Sequence, residues 1–207
     1  MPPAFPKIRS PREQEQKRPP AAAAASSGRR LRTPGGSLRK RLARVRLLLC
    51  DVDGVLTDGT VTMGGGHEFK SFDIQDGLGL RLLQKQGIRV GWISARPSPV
   101  TQQRADDLQI DFLHQDQGSK VIAAENILKQ AGLRWEQVCF VGDDVVDLGV
   151  LRRAGLAVAV ANGIDEARAL AHHVTRATGG HGAIREIATL ILKAQGKWTP
   201  LIKEFSA

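Results

Sequence analysis

The sequence predicts an α/β protein with a doubly wound parallel sheet, on two observations. Short apolar runs recur along the chain from Leu47 onward, and helix-like stretches lie between them. Strands that alternate with helices are joined by right-handed crossovers and therefore form a parallel sheet. Aromatic residues make up only 4% of the chain and Tyr is absent, so the core must rest on aliphatic side chains. Buried parallel strands have that composition.

The strands and helices of this sheet can be placed one by one. A first helix is predicted to begin near Asp76, where leucines recur at short intervals, and a second after Gly118. Five apolar runs are the predicted strands: Leu47–Cys50, Val90–Ile93, Asp111–Leu113, Val138–Val141 and Leu156–Val160.

One stretch interrupts this alternation. Thr57–Met63 and His67–Phe72 are rich in β-forming residues and flank the glycines Gly64–Gly66. Glycine supplies the positive φ angles that tight hairpin turns need. We therefore predict a β-hairpin that projects from the domain just after the first strand.

The net charge of +9 resides in the N-terminal segment. The first 46 residues carry 13 Lys/Arg and 2 Asp/Glu, which leaves 17 basic and 19 acidic residues for the rest. Because the remainder is near neutral, no nucleic-acid partner is expected. Residues 1–45 are also rich in Pro, Ala and Ser, and we predict a disordered tail there, followed by one domain over residues 46–207.

Two further observations concern the environment of the protein. The apolar runs are far shorter than the roughly 20 residues that a membrane span needs, so no membrane partner is expected. The two cysteines, Cys50 and Cys139, lie in or at the end of strand-like runs. We interpret them as buried apolar side chains rather than a disulfide or metal site. A reducing cytoplasm is the expected location.

Four predicted strands are each followed by residues that carry charge or a hydroxyl. In chain order, these residues are Asp51 and Asp53, Ser94 with Arg96, Lys120, and Asp143 with Asp144. Ligands of an open α/β sheet bind beyond the carboxyl ends of its strands. The sequence therefore predicts a site at that edge.

These side chains suit phosphoryl transfer. A carboxylate such as Asp51 can attack phosphorus and form an acyl-phosphate, and Asp53, two residues on, can move the proton. Asp51 and Asp143 supply the hard oxygen ligands that Mg²⁺ prefers. Ser94 can donate hydrogen bonds to phosphoryl oxygens, and Lys120 can neutralise their charge. Asp147 is interpreted as a turn or helix-cap residue.

The same residues carry a family resemblance. Asp51-Val-Asp-Gly-Val-Leu-Thr57, Ser94, Lys120 and Gly142-Asp-Asp-Val-Val-Asp147 resemble, in order, the four motifs of haloacid dehalogenase superfamily phosphatases. The resemblance implies a Rossmann-like sheet, catalytic roles for Asp51, Asp53, Ser94 and Lys120, and Mg²⁺ held by Asp51, Asp53 and Asp143. It also implies that Asp53 reaches the metal through its backbone carbonyl.

A closer resemblance covers Arg46 to Lys197. The glycine hairpin, Phe72-Asp-Ile-Gln-Asp-Gly-Leu-Gly-Leu-Arg81 and Gly179-Gly-His-Gly-Ala-Ile-Arg-Glu186 look like the 3-deoxy-D-manno-octulosonate (KDO) 8-phosphate phosphatase family. That resemblance implies a hairpin flap without a large cap domain, a cytoplasmic homotetramer, and a role in KDO and lipopolysaccharide biosynthesis. The implied substrate-binding residues are Asp73, Ile74, Gln75, Asp76, Gly77, Arg81, Arg96, Arg104 and Asp144.

Three alternatives to this function stay open in the sequence. The first is a phosphatase of a nine-carbon keto sugar acid 9-phosphate, whose carboxylate and phosphate ends are the same. The second is a phosphoacceptor signalling domain, which Asp53 disfavours because a general acid/base promotes turnover of the acyl-phosphate. The third is a non-catalytic relative, which the four intact motifs disfavour.

Overall fold

A computed structural model describes residues 37–206, and its centre is a six-stranded parallel sheet. The strand order is β5-β4-β1-β6-β7-β8, and every neighbouring pair is parallel. The predicted doubly wound parallel sheet is confirmed. Its strands are β1 (Leu47–Cys50), β4 (Arg89–Ser94), β5 (Phe112–Gln115), β6 (Val138–Gly142), β7 (Leu156–Ala159) and β8 (His173–Val174).

Helices cover both faces of the sheet, and most of them connect one strand to the next. They are α1 (Leu38–Arg44), α2 (Ile74–Lys85), α3 (Pro99–Asp107), α4 (Lys120–Ala131), α5 (Leu148–Leu151), α6 (Asp165–Leu170), α7 (Ala183–Ala194) and α8 (Trp198–Phe205). Short 3₁₀ turns span Trp135–Gln137 and Val145–Asp147.

The strands divide their side chains between two cores, because successive residues of a strand point to opposite faces. In β1, Leu48 and Cys50 pack with α1, α2 and α7, whereas Leu47 and Leu49 pack with α4 and α5. All four of these side chains are fully buried, which explains why the strand is a continuous apolar run rather than an alternating one.

The predicted hairpin follows the loop after β1. β2 (Thr62–Gly64) pairs antiparallel with β3 (His67–Phe69), and the glycines Gly65 and Gly66 take positive φ at its turn. Most hairpin residues are exposed. Its strands are shorter than the sequence predicted, because the segment from Thr57 to Thr60 belongs to the loop after β1.

The predicted boundary of the folded domain is wrong. Residues 1–36 of the predicted tail lie outside the described residues, but Leu38–Arg44 form helix α1 rather than a disordered segment. Leu42 is buried in the core, and Arg41 Nη1 donates to the carbonyl of Gly155 at 2.5 Å. The basic composition concealed a short apolar stripe, in which Leu38 and Leu42 are four residues apart.

The C-terminal third contains structure that the strand pattern did not reveal. Helix α7 packs most extensively against α2, and its Ile184, Ile187 and Ile191 are fully buried. Strand β8 has only two residues, too few for a pattern to indicate. Among residues 37–206 no helix has the length and apolar character needed to cross a bilayer. Cys50 and Cys139 are buried free thiols, as predicted, and the structure places them on adjacent strands.

Candidate active site

Two buried carboxylates pair with one buried ammonium at the carboxyl edge of the sheet, and a third carboxylate lies near those two. Lys120 Nζ lies 2.7 Å from Asp51 Oδ2 and 2.7 Å from Asp147 Oδ1. Asp51, Asp143 and Asp147 each offer an oxygen within 4.8 Å of the others. The structure thus brings together the predicted Asp51, Lys120 and Asp143, which come from three different strand ends.

The electrostatics of this cluster favour a bound cation. Burial, and next the charge of Asp147, raise the pKa of Asp51 to about 6, although Lys120 opposes the shift. Burial and the charges of Asp147 and Asp51 raise the pKa of Asp143 to about 7. One ammonium does not neutralise three crowded carboxylates, so a divalent cation would relieve their repulsion.

Asp147, which the sequence analysis interpreted as a turn or helix-cap residue, caps the 3₁₀ turn at Val145–Asp147 and is also a member of this cluster. It is fully buried, its Oδ1 pairs with Lys120, and its Oδ2 accepts from the backbone N–H of Asp143 at 2.9 Å. Both of its oxygens are therefore engaged by the protein. Asp143 differs, because its buried Oδ1 has no hydrogen-bond partner among the described residues. Asp143 is a better cation ligand than Asp147 for that reason.

The loop after β1 is shaped so that Asp143 can approach it. Gly54 has φ +97°, and a Cβ at this position would lie 2.2 Å from Asp143 Oδ2, so only glycine fits. The buried hydroxyl of Thr57 accepts from the backbone N–H of Gly59 at 3.2 Å and stabilises the turn. These contacts give a physical reason for the Asp-x-Asp-Gly-x-x-Thr spacing.

Asp53 faces a different neighbour from Asp51. Its Oδ1 lies 2.7 Å from Nζ of Lys70, the residue that follows β3 of the hairpin. The Lys70 side chain has no exposed surface, and that of Asp53 is 23% exposed. The sequence analysis did not identify Lys70, because a lysine beside a glycine-rich hairpin is typical of a solvent-exposed surface. Its spacing from Asp53 gave no signal.

At the end of β4, Ser94 and Arg96 hold a turn. Ser94 Oγ donates to the carbonyl of Arg96 at 3.0 Å and accepts from its backbone N–H at 3.1 Å. The Arg96 guanidinium pairs through Nη2 with Glu68 Oε2 of the hairpin at 2.6 Å. Its buried Nη1 has no hydrogen-bond partner among the described residues. Arg96 therefore keeps donor capacity for a ligand.

The glycine-rich C-terminal segment packs against the loop after β1. A Cβ on Gly179 would lie 1.7 Å from the carbonyl oxygen of Gly54, and the Gly180 N–H donates to the carbonyl of Val55 at 2.9 Å. Glycine is required here by the close approach of two backbones. The segment thus supports the loop that carries Asp53.

Among the other predicted substrate residues, two acidic side chains stabilise helix ends. Asp73 caps α2 by accepting from the N–H groups of Gln75 and Asp76. Asp76 is buried and accepts from the N–H groups of Gly182 and Arg185 at the start of α7. Burial raises the pKa of Asp76 to about 6, and the Arg185 N–H opposes the shift.

Two predicted arginines make contacts with helices. Arg81 Nη1 donates to the carbonyl of Leu108 after α3 at 3.1 Å. This contact does not connect Arg81 with the cluster of Asp51, Asp143 and Asp147. Arg104 pairs with Asp107 and lies 6.0 Å from the ring centre of Phe72. A Cβ on the predicted residue Gly77 would lie 2.7 Å from Arg104 Nη2.

The last three predicted substrate residues are exposed. Ile74 is 81% exposed and Gln75 is exposed at the start of α2. Asp144 Oδ1 accepts from the N–H of Val145 at 2.6 Å in the turn that follows Asp143.

A family model and curated proteins resemble this chain. A model described as haloacid dehalogenase-like hydrolase matches residues 109–187. The 3-deoxy-D-manno-octulosonate 8-phosphate phosphatase KdsC of Yersinia pestis is 43% identical over 159 residues, which are 76% of this chain and 85% of that protein. KdsC of Escherichia coli K12 is 42% identical over 154 residues, or 74% and 82% of the two chains.

Solved structures resemble the fold as well. The phosphatase of the same description from Moraxella catarrhalis, in complex with magnesium, phosphate and KDO, has a TM-score of 0.79 at 38% identity and covers 81% of this chain and 97% of its own. The cobalt-bound form of the Haemophilus influenzae enzyme has a TM-score of 0.75 at 38% identity, with coverages of 77% and 94%.

Proposed function

The chain belongs to the 3-deoxy-D-manno-octulosonate 8-phosphate phosphatase family of haloacid dehalogenase-like hydrolases, and we propose that it hydrolyses this sugar-acid phosphate to KDO and phosphate. It is a phosphatase. The observation that carries the proposal is the cluster of Asp51, Lys120 and Asp143, with Asp53 at its side.

We propose that Asp51 and Asp143 hold Mg²⁺ by their carboxylates, with the Asp53 carbonyl as the third protein ligand that the resemblance implies. The buried, unpartnered Oδ1 of Asp143 supports this set. So does the raised pKa of both carboxyls, since crowded oxygens attract a hard cation. When bound, the cation would neutralise charge between the nucleophile and the substrate phosphate.

In the first step, an Asp51 oxygen attacks phosphorus and the bond from phosphorus to the sugar oxygen breaks. Asp53 gives the departing oxygen its proton. The Ser94 hydroxyl and the Lys120 ammonium bind the phosphoryl oxygens as charge redistributes. The product of this step is an acyl-phosphate on Asp51 and the free sugar acid.

In the second step, Asp53 takes a proton from water as the water oxygen attacks the acyl-phosphate. The bond from phosphorus to Asp51 breaks, which releases phosphate and restores the nucleophile. Asp53 is protonated again and ready for the next substrate. The two carboxylates thus have separate tasks, as nucleophile and as general acid/base.

Arg96 is the proposed contact for the carboxylate of the sugar acid. Its Nη1 has no partner among residues 37–206, and a guanidinium binds carboxylates with two parallel hydrogen bonds. The substitution Arg96→Gln should raise KM for sugar-acid phosphates and leave KM for p-nitrophenyl phosphate unchanged. Roles in substrate binding for Asp73–Gly77, Arg81, Arg104 and Asp144 stay predictions.

The test is a comparison of kcat/KM for KDO 8-phosphate, a nine-carbon keto acid 9-phosphate, glucose 6-phosphate and a nucleotide, with Mg²⁺ or with EDTA. We expect KDO 8-phosphate to be preferred at least tenfold and EDTA to abolish turnover. A preference for the nine-carbon acid would move the assignment to that substrate, and a preference for the nucleotide would refute a sugar-acid function.

Two variants test the mechanism. Asp51→Asn should abolish phosphate release, because no nucleophile remains. Asp53→Asn should lower kcat by about 10²- to 10⁴-fold, the usual contribution of general acid–base catalysis. An Asp51→Asn protein with near wild-type turnover would refute the acyl-phosphate mechanism.

We also propose a cytoplasmic homotetramer in which the hairpins assemble. Met63 and Phe69 are 68% and 58% exposed on the hairpin, which supports an apolar contact between copies. Light scattering should give a tetramer for the wild type and smaller species for Met63→Glu/Phe69→Glu. A wild-type monomer would refute the assembly.

A further inference from the structure

The residue that follows the hairpin, Lys70, places a buried ammonium beside Asp53 in the candidate active site. Lys70 follows β3 directly, and its side chain has no exposed surface although the strand before it is largely exposed. Its Nζ lies 2.7 Å from Asp53 Oδ1, 3.2 Å from Thr101 Oγ1 and 3.8 Å from Glu68 Oε1. A lysine is costly to bury unless its charge is paired, so these contacts fix the position of the ammonium.

The contact with Asp53 is electrostatic rather than a well-aligned hydrogen bond. The two atoms are 2.7 Å apart, yet no described group completes a hydrogen bond of good geometry to that buried oxygen. An ion pair of this kind restrains the side-chain rotamer without using the second carboxylate oxygen. Asp53 Oδ2 is thus left for proton transfer.

We propose that Lys70 is a positioning residue, which holds Asp53 Oδ1 so that Oδ2 faces the reacting oxygen. This role rests on the function proposed above for Asp53. In the second step, Oδ2 receives the proton of the attacking water while Lys70 stays bound to Oδ1. Lys70 itself gains and loses no proton and touches no reacting atom.

Glu68 extends this arrangement to the predicted substrate side. It pairs with Arg96 at 2.6 Å and lies 3.8 Å from Lys70, so one hairpin carboxylate neighbours both cations. The hairpin thus connects the arginine that we assign to the sugar-acid carboxylate with the lysine that orients Asp53. Glu68→Gln should therefore weaken the positioning of Asp53 by Lys70 without abolishing it.

The test uses p-nitrophenyl phosphate with Lys70→Met and Lys70→Arg. The phenolate of this substrate leaves without a proton, so the first step does not need Asp53, whereas hydrolysis of the acyl-phosphate still does. We expect Lys70→Met to keep the rate of the first phenolate burst within about threefold and to lose kcat by about 10- to 100-fold. Lys70→Arg should restore most of kcat, because its cation can pair with Asp53.

A double variant separates positioning from general damage to the site. In an Asp53→Asn background, Lys70→Met should change kcat by less than about twofold, because a residue that acts through Asp53 has nothing left to act on. The proposal would be overturned if Lys70→Met lowered the burst rate and kcat equally, or lowered neither. It would also be overturned if Lys70→Met caused its full loss of kcat in the Asp53→Asn background. A wild-type protein without phosphomonoesterase activity would overturn both this role and the proposed function, whereas an active wild type with an unaffected Lys70→Met overturns this role alone.

Discussion

Lys120 Nζ lies 2.7 Å from Asp147 Oδ1, and both side chains are buried beneath the carboxyl edge of the sheet. The pair connects the start of α4 with the turn after β6. Asp147 also accepts from the backbone N–H of Asp143, so one carboxylate fixes both the ammonium and the backbone of the residue that we assign to the metal.

Asp147→Asn should therefore lower both stability and activity. The substitution removes one of the two buried ion pairs of Lys120 and leaves the pair with Asp51, so we expect it to cost about 1–3 kcal/mol of unfolding free energy. We expect a shift of that size in urea denaturation and a reduced kcat. The matched control is Asp165→Asn, which breaks the exposed pair with Arg168 and should change stability little. Equal effects of the two substitutions would contradict the assignment.

Gly179→Ala should reduce kcat by displacing the loop after β1. The new methyl would meet the carbonyl oxygen of Gly54 at 1.7 Å, and a backbone oxygen cannot move away as a flexible side chain can. Circular dichroism and steady-state kinetics would measure fold and activity together. The control is Gly64→Ala in the hairpin, where an added Cβ meets nothing within 4 Å. An unaffected Gly179→Ala would show that the two backbones separate easily.

Asp76 should make stability depend on pH. Burial raises its pKa from 3.8 to about 6, so between about pH 4 and 6 the folded protein binds a proton that the unfolded chain releases. The free energy of unfolding should then fall as pH rises through this window, by up to roughly 3 kcal/mol in all. The measurement is urea denaturation of the wild type and Asp76→Asn from pH 4 to 7.

The difference between those two proteins isolates Asp76, because Asp51 and Asp143 titrate in both. We expect the advantage of the wild type over Asp76→Asn to be largest near pH 4 and to shrink toward pH 7. A difference that stays constant with pH would show that the N–H groups of Gly182 and Arg185 offset the burial of this carboxyl.

Deletion of residues 1–45 should destabilise the domain, in contrast to the boundary that the sequence predicted. The deletion removes the buried side chains of Leu42 and Val45, and burial of each contributes about 2 kcal/mol. Thermal unfolding of this deletion and of a deletion of residues 1–36 would compare the two boundaries. We expect only the longer deletion to lower the melting temperature, and equal melting temperatures would contradict a stabilising role of α1.

The sequence was sufficient to predict the sheet and the strand ends that carry Asp51, Lys120 and Asp143. Continuous aliphatic runs indicate buried parallel strands, and the strand ends of such a sheet lie on one edge by topology alone. The short elements were not predictable. Helix α1 is amphipathic over less than three turns, and β8 has two residues.

The contacts of the site were harder to predict than its members. The ion pairs of Lys70 with Asp53 and of Asp147 with Lys120 were not predicted, because they depend on distances across the fold and a lysine or aspartate at these positions does not by itself indicate burial. Asp76 was predicted to bind substrate, which stays a prediction, and the contacts of its carboxylate with the N–H groups of Gly182 and Arg185 at the start of α7 were not predicted. The local sequence does not distinguish a carboxylate that binds substrate from one that accepts hydrogen bonds from the N-terminus of a neighbouring helix.

The backbone contact between Gly54 and Gly179 joins segments that are made at very different times during synthesis. The loop with Asp51 and Asp53 leaves the ribosome early, but the backbone that supports it arrives only with the last quarter of the chain. Such non-local contacts form late in folding because the loop-closure entropy must be overcome first. The nascent chain should therefore acquire its nucleophile long before it acquires turnover, and a chain truncated before Gly179 should remain inactive even if its sheet has formed.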